Sequence, residues 1–213
     1  MQKTLDFLRK LKKNNNKNWF EAHREEYQEA LREFSACVEA LIAEIKQFDP
    51  SIKNVAPGDC LFRIYRDVRF SRDKSPYKTN FGAFIKAGGR SSPGAGYYLH
   101  LEPGSSMLGG GIYMPPAPVL TKIRKAILAD AAPLQKILES KEFRKQFGGV
   151  DDSEKLKNPP RGIDKDHPDV ELLKHKHFTV TRKFSDQTVL GPSFLSDCKS
   201  VFRCMLPFSE INQ

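Results

Sequence analysis

The sequence lacks the long apolar runs that membrane proteins carry. Nowhere do about 18 apolar residues follow one another, which is the length that a transmembrane helix requires. The first twenty residues alternate charged, asparagine and isolated apolar positions, so they do not form the basic start and apolar stretch of a secretory signal. We therefore expect a cytoplasmic protein without a membrane partner.

Cysteine is scarce and ungrouped. Since no two of the four residues form a C-x-x-C pair, the sequence excludes a zinc ribbon and a thioredoxin-type motif. We expect reduced, partly buried thiols at all four positions, which are Cys37, Cys60, Cys198 and Cys204.

Nucleotide-binding loops and a hydrolase nucleophile motif are also missing. The three glycines at 109–111 are not followed by Lys-Ser/Thr, and the glycines at 94 and 96 precede a predicted strand rather than a helix. No Gly-x-Ser-x-Gly occurs. These absences exclude a P-loop, a dinucleotide fingerprint and an α/β-hydrolase elbow, and no cofactor follows from the motifs that remain.

Positive charge is plentiful and concentrated. The 213 residues carry a net charge of +9, and 39% of them are hydrophobic, so we expect one soluble globular domain spanning 1–213. Residues 1–20 have six basic and one acidic side chain, whereas 21–49 have three basic and eight acidic, so these stretches cancel. Residues 60–90 have eight basic and two acidic side chains, a local +6.

Apolar spacing predicts helices at both ends of the chain. The first would be capped by Thr4 and end near Asn14, and a long second helix would be capped by Asn18 and run from Trp19 to Phe48. Further helices are predicted within 119–143, shortly after Pro168 and over 193–206.

Short runs rich in aromatic and β-branched residues predict strands in the middle of the chain. Turn residues at 102–105 favour a hairpin, and alternation places Tyr98, His100 and Glu102 on one face of its first strand. The fold class is therefore α+β, a mainly antiparallel sheet from the central segment packed by N-terminal and C-terminal helices. The predicted strands are 61–65, 81–86, 97–102, 107–114 and 178–184.

The segment 63–80 is the strongest candidate site. Arginine forks, lysine ammonium groups and hydroxyls are the donors that hold phosphate or carboxylate oxygens, and here they alternate with aromatic residues. Tyr77 would orient the ligand or transfer protons. The alternative is a basic loop whose arginines pair with Asp67, Asp73 and the acidic face of the long helix. The predicted ligand-binding residues of this segment are Arg63, Arg66, Arg69, Lys74, Lys78 and Asn80.

A second candidate combines the glycines at 109–111 with Tyr98 and His100. A bare strand surface beside an imidazole and a phenol can form the floor of a pocket, with Gly110 against the ligand and His100 as a catalytic acid or base. The alternative is a structural, hydrogen-bonded histidine.

A third candidate lies in the polar stretch 148–167. Arg161 is a possible anion ligand, while Asp164, Asp166 and His167 carry donors that suit a metal ion. Residues of these types before Pro168 are also what a helix start requires, so we predict no metal ligands.

Three blocks occur in order at fixed spacing: FRIYRDVRFSRDKSPYKTNFGAF, GYYLHLEPGSSMLGGGIYMP and PPRGIDKDHPDVELLKHKHF. Together with NWFEAHREEY and PFSEIN, they give the chain a resemblance over nearly its whole length to the domain-of-unknown-function 2461 family of uncharacterised conserved bacterial proteins. The resemblance implies an α+β protein of one domain and about this size, and supplies no activity or catalytic residues.

The expected function is binding of a phosphorylated or other anionic small molecule. One alternative is a phosphoester hydrolase, either metal-dependent or assisted by His100. The other is a nucleic-acid-binding module that uses the basic N-terminus, residues 122–145 and the 63–80 segment.

Overall fold

The computed structural model describes residues 1–211, and its helices lie before and after a central sheet, as predicted for an α+β protein. Asn212 and Gln213, which the predicted domain 1–213 includes, lie outside the described residues. The helices are α1 (Gln2–Lys13), α2 (Lys17–Ala22), α3 (Arg24–Ile45), α4 (Pro57–Cys60), α5 (Ala117–Ala129), α6 (Ala132–Glu139), α7 (Lys141–Phe147), α8 (Val170–Leu173), α9 (Asp186–Leu190) and α10 (Phe194–Ile211). Within the described chain, none of them combines the length and apolar character needed to cross a bilayer.

The predicted helix from Trp19 to Phe48 is wrong at its start, because two helices meet at His23. Asn16 rather than Asn18 caps the first of them, since its extended backbone lets the side-chain oxygen accept from the N–H of Trp19 at 2.9 Å. The predicted cap Thr4 is also wrong, because α1 begins at Gln2 and Thr4 lies inside it.

The sheet is antiparallel, and its order β1-β2-β3-β4 follows the chain. The strands are β1 (Phe81–Ile85), β2 (Gly96–Leu101), β3 (Ser106–Ile112) and β4 (Phe178–Phe184). The predicted hairpin is confirmed, since Ser105 donates its N–H to the carbonyl of Glu102 at 2.9 Å and Gly104 takes a φ of +77° in the turn.

The predicted strand 61–65 is wrong, because this segment meets the chain near β1 only at isolated bridges. Leu61 is bridged to Ala83, and Tyr65 to Tyr77. The two bridged residues are four positions apart in the first segment and six positions apart in the second. The chain between Tyr77 and Ala83 therefore forms a bulge.

The two faces of β1 have different surroundings. Phe81 packs against the helices, with ring centroids 6.4 Å from Phe7 of α1 and 5.4 Å from Phe34 of α3. A side chain at Gly82 would point the other way, towards Tyr98 and Phe62. The outward side of β1 at Gly82 therefore meets Tyr98 and Phe62 rather than the buried rings of α1 and α3.

The described chain forms two compact units, each built from separated segments. Unit 1 consists of 1–92, 98–108 and 183–200. Unit 2 consists of 93–97, 109–182 and 201–211 of the described residues.

Candidate functional site

The bulge before β1 directs two polar side chains at the outward residues of β2. The hydroxyl of Thr79 donates to Oε1 of Glu102 at 2.8 Å, and Nδ2 of Asn80 lies 3.3 Å from Nδ1 of His100. Bulges commonly re-aim side chains in this way. The predicted alternation in β2 is confirmed, because Tyr98, His100 and Glu102 are part-exposed while Leu99 and Leu101 are buried.

Tyr98, His100 and Glu102 form a continuous hydrogen-bond chain. Nε2 of His100 lies 3.3 Å from Oε2 of Glu102, and Nδ1 lies 3.0 Å from the Tyr98 hydroxyl. A carboxylate only accepts, so Nε2 carries the proton and Nδ1 accepts from the phenol. Burial, and then the charge of Glu102, raises the pKa of Tyr98 to about 12, which keeps the phenol protonated as the donor.

Gly82 leaves room for this phenol. A Cβ at that position would lie 3.0 Å from the Tyr98 hydroxyl and 3.4 Å from the ring of Phe62. The Phe62 and Tyr98 rings meet edge to face at 6.2 Å. Sequence reasoning did not select Phe62, Thr79, Gly82 or Glu102, although Glu102 could have been selected because it shares the face of His100.

Two cations complete the site. Nζ of Lys78 donates to the carbonyl of Arg63 at 2.9 Å and lies 5.6 Å from the centroid of the Phe62 ring. Burial, and then the neighbouring charge of Arg63, lowers the pKa of Lys78. Among the described residues, neither cation forms an ion pair with a carboxylate. We call the following set the sheet-edge cluster: Phe62, Arg63, Lys78, Thr79, Asn80, Gly82, Tyr98, His100 and Glu102.

Three other predicted anion ligands are engaged within their own loop, 66–75. Arg66 pairs with Asp73, and Arg69 donates to Asp67 at 2.6 and 2.9 Å. Hydrogen bonds from Ser75, and then from Arg66, lower the pKa of Asp73 to about 2. Lys74 donates to the carbonyl of Val68 at 3.0 Å. For these side chains, the structure has the local pairing that was the alternative to an anion site.

The predicted catalytic residue Tyr77 lies in the core. It is 3% exposed, and its ring stacks on Phe20 at 4.0 Å with an interplanar angle of 14°. Its backbone N–H and carbonyl both bond to the side chain of Asn15, at 3.1 and 2.9 Å. We therefore leave Tyr77 out of the site, and Tyr98 is the phenol that contacts His100.

One family match covers nearly the whole chain, including this cluster. The model of the DUF2461 family, described as a conserved hypothetical protein, matches residues 3–210. The chain belongs to this family. Searches of curated proteins and of solved structures return no match.

In this DUF2461 member, the glycines of β3 face protein atoms. A Cβ on Gly110 would lie 2.0 Å from Sδ of Met205 and 2.6 Å from the carbonyl oxygen of Gly96. Gly111 has a φ of +100°, and a Cβ there would lie 2.1 Å from the carbonyl oxygen of Phe178. Packing within unit 2 accounts for both glycines, and a ligand contact at Gly110 stays a prediction.

The remaining predicted residues lie in the polar loop of unit 2. Arg161 is exposed, and its role as an anion ligand also stays a prediction. Asp164 accepts from the N–H of Asp166 at 2.9 Å, and Nδ1 of His167 accepts from the N–H of Asp169 at 3.0 Å. Across residues 1–211, no group of three or more His, Cys, Asp or Glu side chains is placed to hold a metal ion.

Proposed function

We propose that the protein binds a phosphorylated or other anionic small molecule at the sheet-edge cluster. The observation that carries the proposal is the adjacent pair Arg63 and Lys78, two cations without a carboxylate partner within the described chain. Their mutual repulsion and the part burial of Lys78 are costs that a bound anion would offset.

The chemistry around the pair suits a phosphate or carboxylate. The arginine fork binds two oxygens of one group, and the lysine adds a point charge. Nδ2 of Asn80 is a further donor beside the cluster's imidazole. Arg63 lowers the pKa of Asp67, but that carboxylate is paired with Arg69. Glu102 accepts from Thr79, contacts His100 and lies 4.0 Å from Nζ of Lys12, so it holds the histidine in place.

The test is calorimetric titration of the full chain with pyrophosphate as the probe. We expect Lys78→Gln and Arg63→Gln each to weaken binding by roughly tenfold, the effect of about 1.4 kcal/mol. Lys74→Gln is the matched control, since this lysine also caps a loop carbonyl, that of Val68 at 3.0 Å, and the substitution removes the same charge. Equal losses in all three variants, or no binding by the parent chain, would contradict the proposal.

A second candidate function is phosphoester hydrolysis assisted by His100, and the Tyr98–His100–Glu102 chain favours it. Glu102 fixes the ring and its tautomer, as an orienting carboxylate does for a catalytic histidine. A water in the place of the Tyr98 hydroxyl at Nδ1 would be the nucleophile. Release of 4-nitrophenol from its phosphate ester, lost in His100→Gln and kept in Lys74→Gln, would support this function; no release would exclude this ester as a substrate.

The proposal includes a cytoplasmic location. All four cysteines are free, and three of them are buried. Free thiols are typical of reducing compartments.

A further inference from the structure

We propose that the anion of the sheet-edge cluster is the backbone of a single-stranded nucleic acid, with bases stacked on Phe70 and Phe62. This inference rests on the proposed function, because the phosphate would lie at the same Arg63–Lys78 pair. It adds a polymer and an aromatic contact that a small phosphate would not need.

Phe70 is the most exposed large apolar side chain that the structure describes, at 96%. Its loop is held by side-chain contacts. Arg66 pairs with Asp73 and donates to the carbonyl of Ser75 at 3.3 Å, and Lys74 donates to the carbonyl of Val68. A loop cross-linked in this way holds an aromatic face in water, where it is available for stacking without further ordering.

A row of charged groups connects Phe70 to the sheet-edge cluster. The Arg69 guanidinium lies 5.9 Å from the Phe70 ring centroid and pairs with Asp67. Arg63 is close enough to lower the pKa of both Asp67 and Lys78, and Lys78 lies over Phe62. These contacts join two rings through three cations and the carboxylate of Asp67, which holds Arg69, so Arg63 and Lys78 are the cations left for phosphate. We call Phe62, Arg63, Lys78, Arg69 and Phe70 the aromatic–basic row.

This alternation matches bases and phosphates better than it matches a lipid surface. Stacking needs one free ring face: Phe70 is 96% exposed, and Phe62, whose ring contacts both Tyr98 and Lys78, is 39% exposed. Insertion into a bilayer needs whole apolar side chains that enter together, and within this row only Phe70 projects fully. In a double helix the bases stack on one another and cannot stack on protein rings. The row therefore suits a single strand better than a duplex.

The experiment measures anisotropy of a fluorescent oligothymidine of about ten nucleotides, a length in the range of known single-strand sites, across a series of salt concentrations. We expect Phe70→Ala to weaken binding roughly tenfold at every salt concentration, because it removes a stacking contact and no charge. Lys78→Gln should make the negative slope of log K against log salt shallower by about 0.7, the value for one phosphate contact on a single strand.

The control is Tyr113→Ala, which removes a 67% exposed aromatic side chain from unit 2 and should leave binding unchanged. Pyrophosphate binding that depends on Lys78, together with oligothymidine binding that is absent or indifferent to Phe70, would overturn the inference and leave the proposed function standing. Failure of both probes would overturn both. Equal Phe70-dependent binding of a blunt duplex would overturn the single-strand assignment. So would Phe70-dependent binding to phosphatidylcholine–phosphatidylserine vesicles without oligothymidine binding.

Discussion

A single methyl group at Gly110 would collide with its own protein. Two obstacles stand within 3 Å of the position that a Cβ would take, and one of them is the backbone carbonyl of Gly96, which cannot rotate aside. Met205 can move its thioether, but only into a packed interior. The glycine is therefore required by packing within unit 2, which answers why such a residue stands inside a strand.

We expect Gly110→Ala to lower the free energy of unfolding by about 1–3 kcal/mol, the usual effect of overpacking. Urea denaturation followed by circular dichroism measures it. Gly149→Ala is the matched control, since nothing lies within 4 Å of a Cβ there and its φ is not in the left-handed region. Its effect should be neutral or stabilising by a few tenths of a kcal/mol. Equal effects of the two substitutions would contradict the packing explanation.

At the scale of elements, the join of α2 and α3 explains one error of sequence reasoning. Apolar residues continue at three- and four-residue steps through His23, so the pattern cannot reveal a one-residue break. The break is stabilised locally, because the His23 ring stacks on Trp19 at 4.0 Å and its Nδ1 lies 2.8 Å from the carbonyl of Trp19. Two asparagines, Asn16 and Asn18, suit the cap equally by residue type, and only backbone geometry selects Asn16.

Asn16→Ala should lower the free energy of unfolding by about 1 kcal/mol, because the N–H of Trp19 loses its acceptor. Asn18→Ala should change it by less than about 0.5 kcal/mol, as an ordinary surface substitution does. Thermal unfolding of the pair measures the difference. A larger loss of unfolding free energy in Asn18→Ala than in Asn16→Ala would instead support Asn18 as the cap, as the sequence pattern predicted.

Asp186 connects three elements of unit 1. Oδ1 accepts from the N–H of Gly104 in the hairpin turn at 2.8 Å, and Oδ2 pairs with Arg9 of α1 at 2.7 Å. Burial alone would raise the pKa of Asp186, but these two donors outweigh it and hold the pKa below its ordinary value of 3.8. A lowered folded-state pKa stabilises the fold above the unfolded-state pKa, and that stabilisation is lost as the pH falls through the folded value.

Asp186→Asn should therefore reduce the free energy of unfolding by about 1.5–3 kcal/mol at pH 7, the range for hydrogen bonds to a charged group. The difference between variant and parent should shrink as the pH falls below about 4, where the parent carboxylate becomes protonated. Urea titrations at neutral and acid pH measure the trend. A difference that stays constant with pH would show that charge is not the cause.

Local chemistry made β2, β3 and β4 predictable, because alternation and the Glu102-Pro103-Gly104-Ser105 turn are properties of neighbouring residues. The segment 61–65 has the composition of a strand, yet its register against Tyr77 and Ala83 is broken by the bulge. That same bulge places Thr79 and Asn80 in the sheet-edge cluster. The sequence therefore selected some residues of this candidate cluster, namely the cations, Asn80 and His100, whereas the contact of His100 with Glu102 depends on the side-chain arrangement; their roles in a site stay predictions.

At the scale of the whole molecule, the local +6 of residues 60–90 separates into engaged and available charge. Arg66 pairs with Asp73 and Arg69 with Asp67, whereas Arg63 and Lys78 form no ion pair with a carboxylate of the described residues. Composition cannot distinguish these arginines from Arg63, because their neighbours in sequence are alike. Closure of the loop decides which of them pair internally.

The reactivity of the four thiols can be used to follow the opening of unit 1. Burial raises the pKa of Cys37 and of Cys60 to about 11, and it also raises the pKa of Cys198 and Cys204. We expect Cys204, the one thiol that is not buried, to react first with a disulfide reagent near pH 8. The other three should react only as unit 1 opens, with a rate that rises in urea. Absorbance of the released thiolate measures both phases.

Cys204→Ser should abolish the fast phase and leave the slow phase unchanged. A fast phase that persists in this variant would place an accessible thiol in unit 1 and contradict the burial of its three cysteines.

The route of the chain through the two units has a consequence for synthesis. The polypeptide passes between them five times, after residues 92, 97, 108, 182 and 200. Unit 1 needs the segment 183–200 and unit 2 needs residues after 200, so neither can be completed before those segments have left the ribosome. Both units therefore stay incompletely folded while these segments are being synthesised. Dividing the coding sequence at one position would not give a fragment that contains all of either unit.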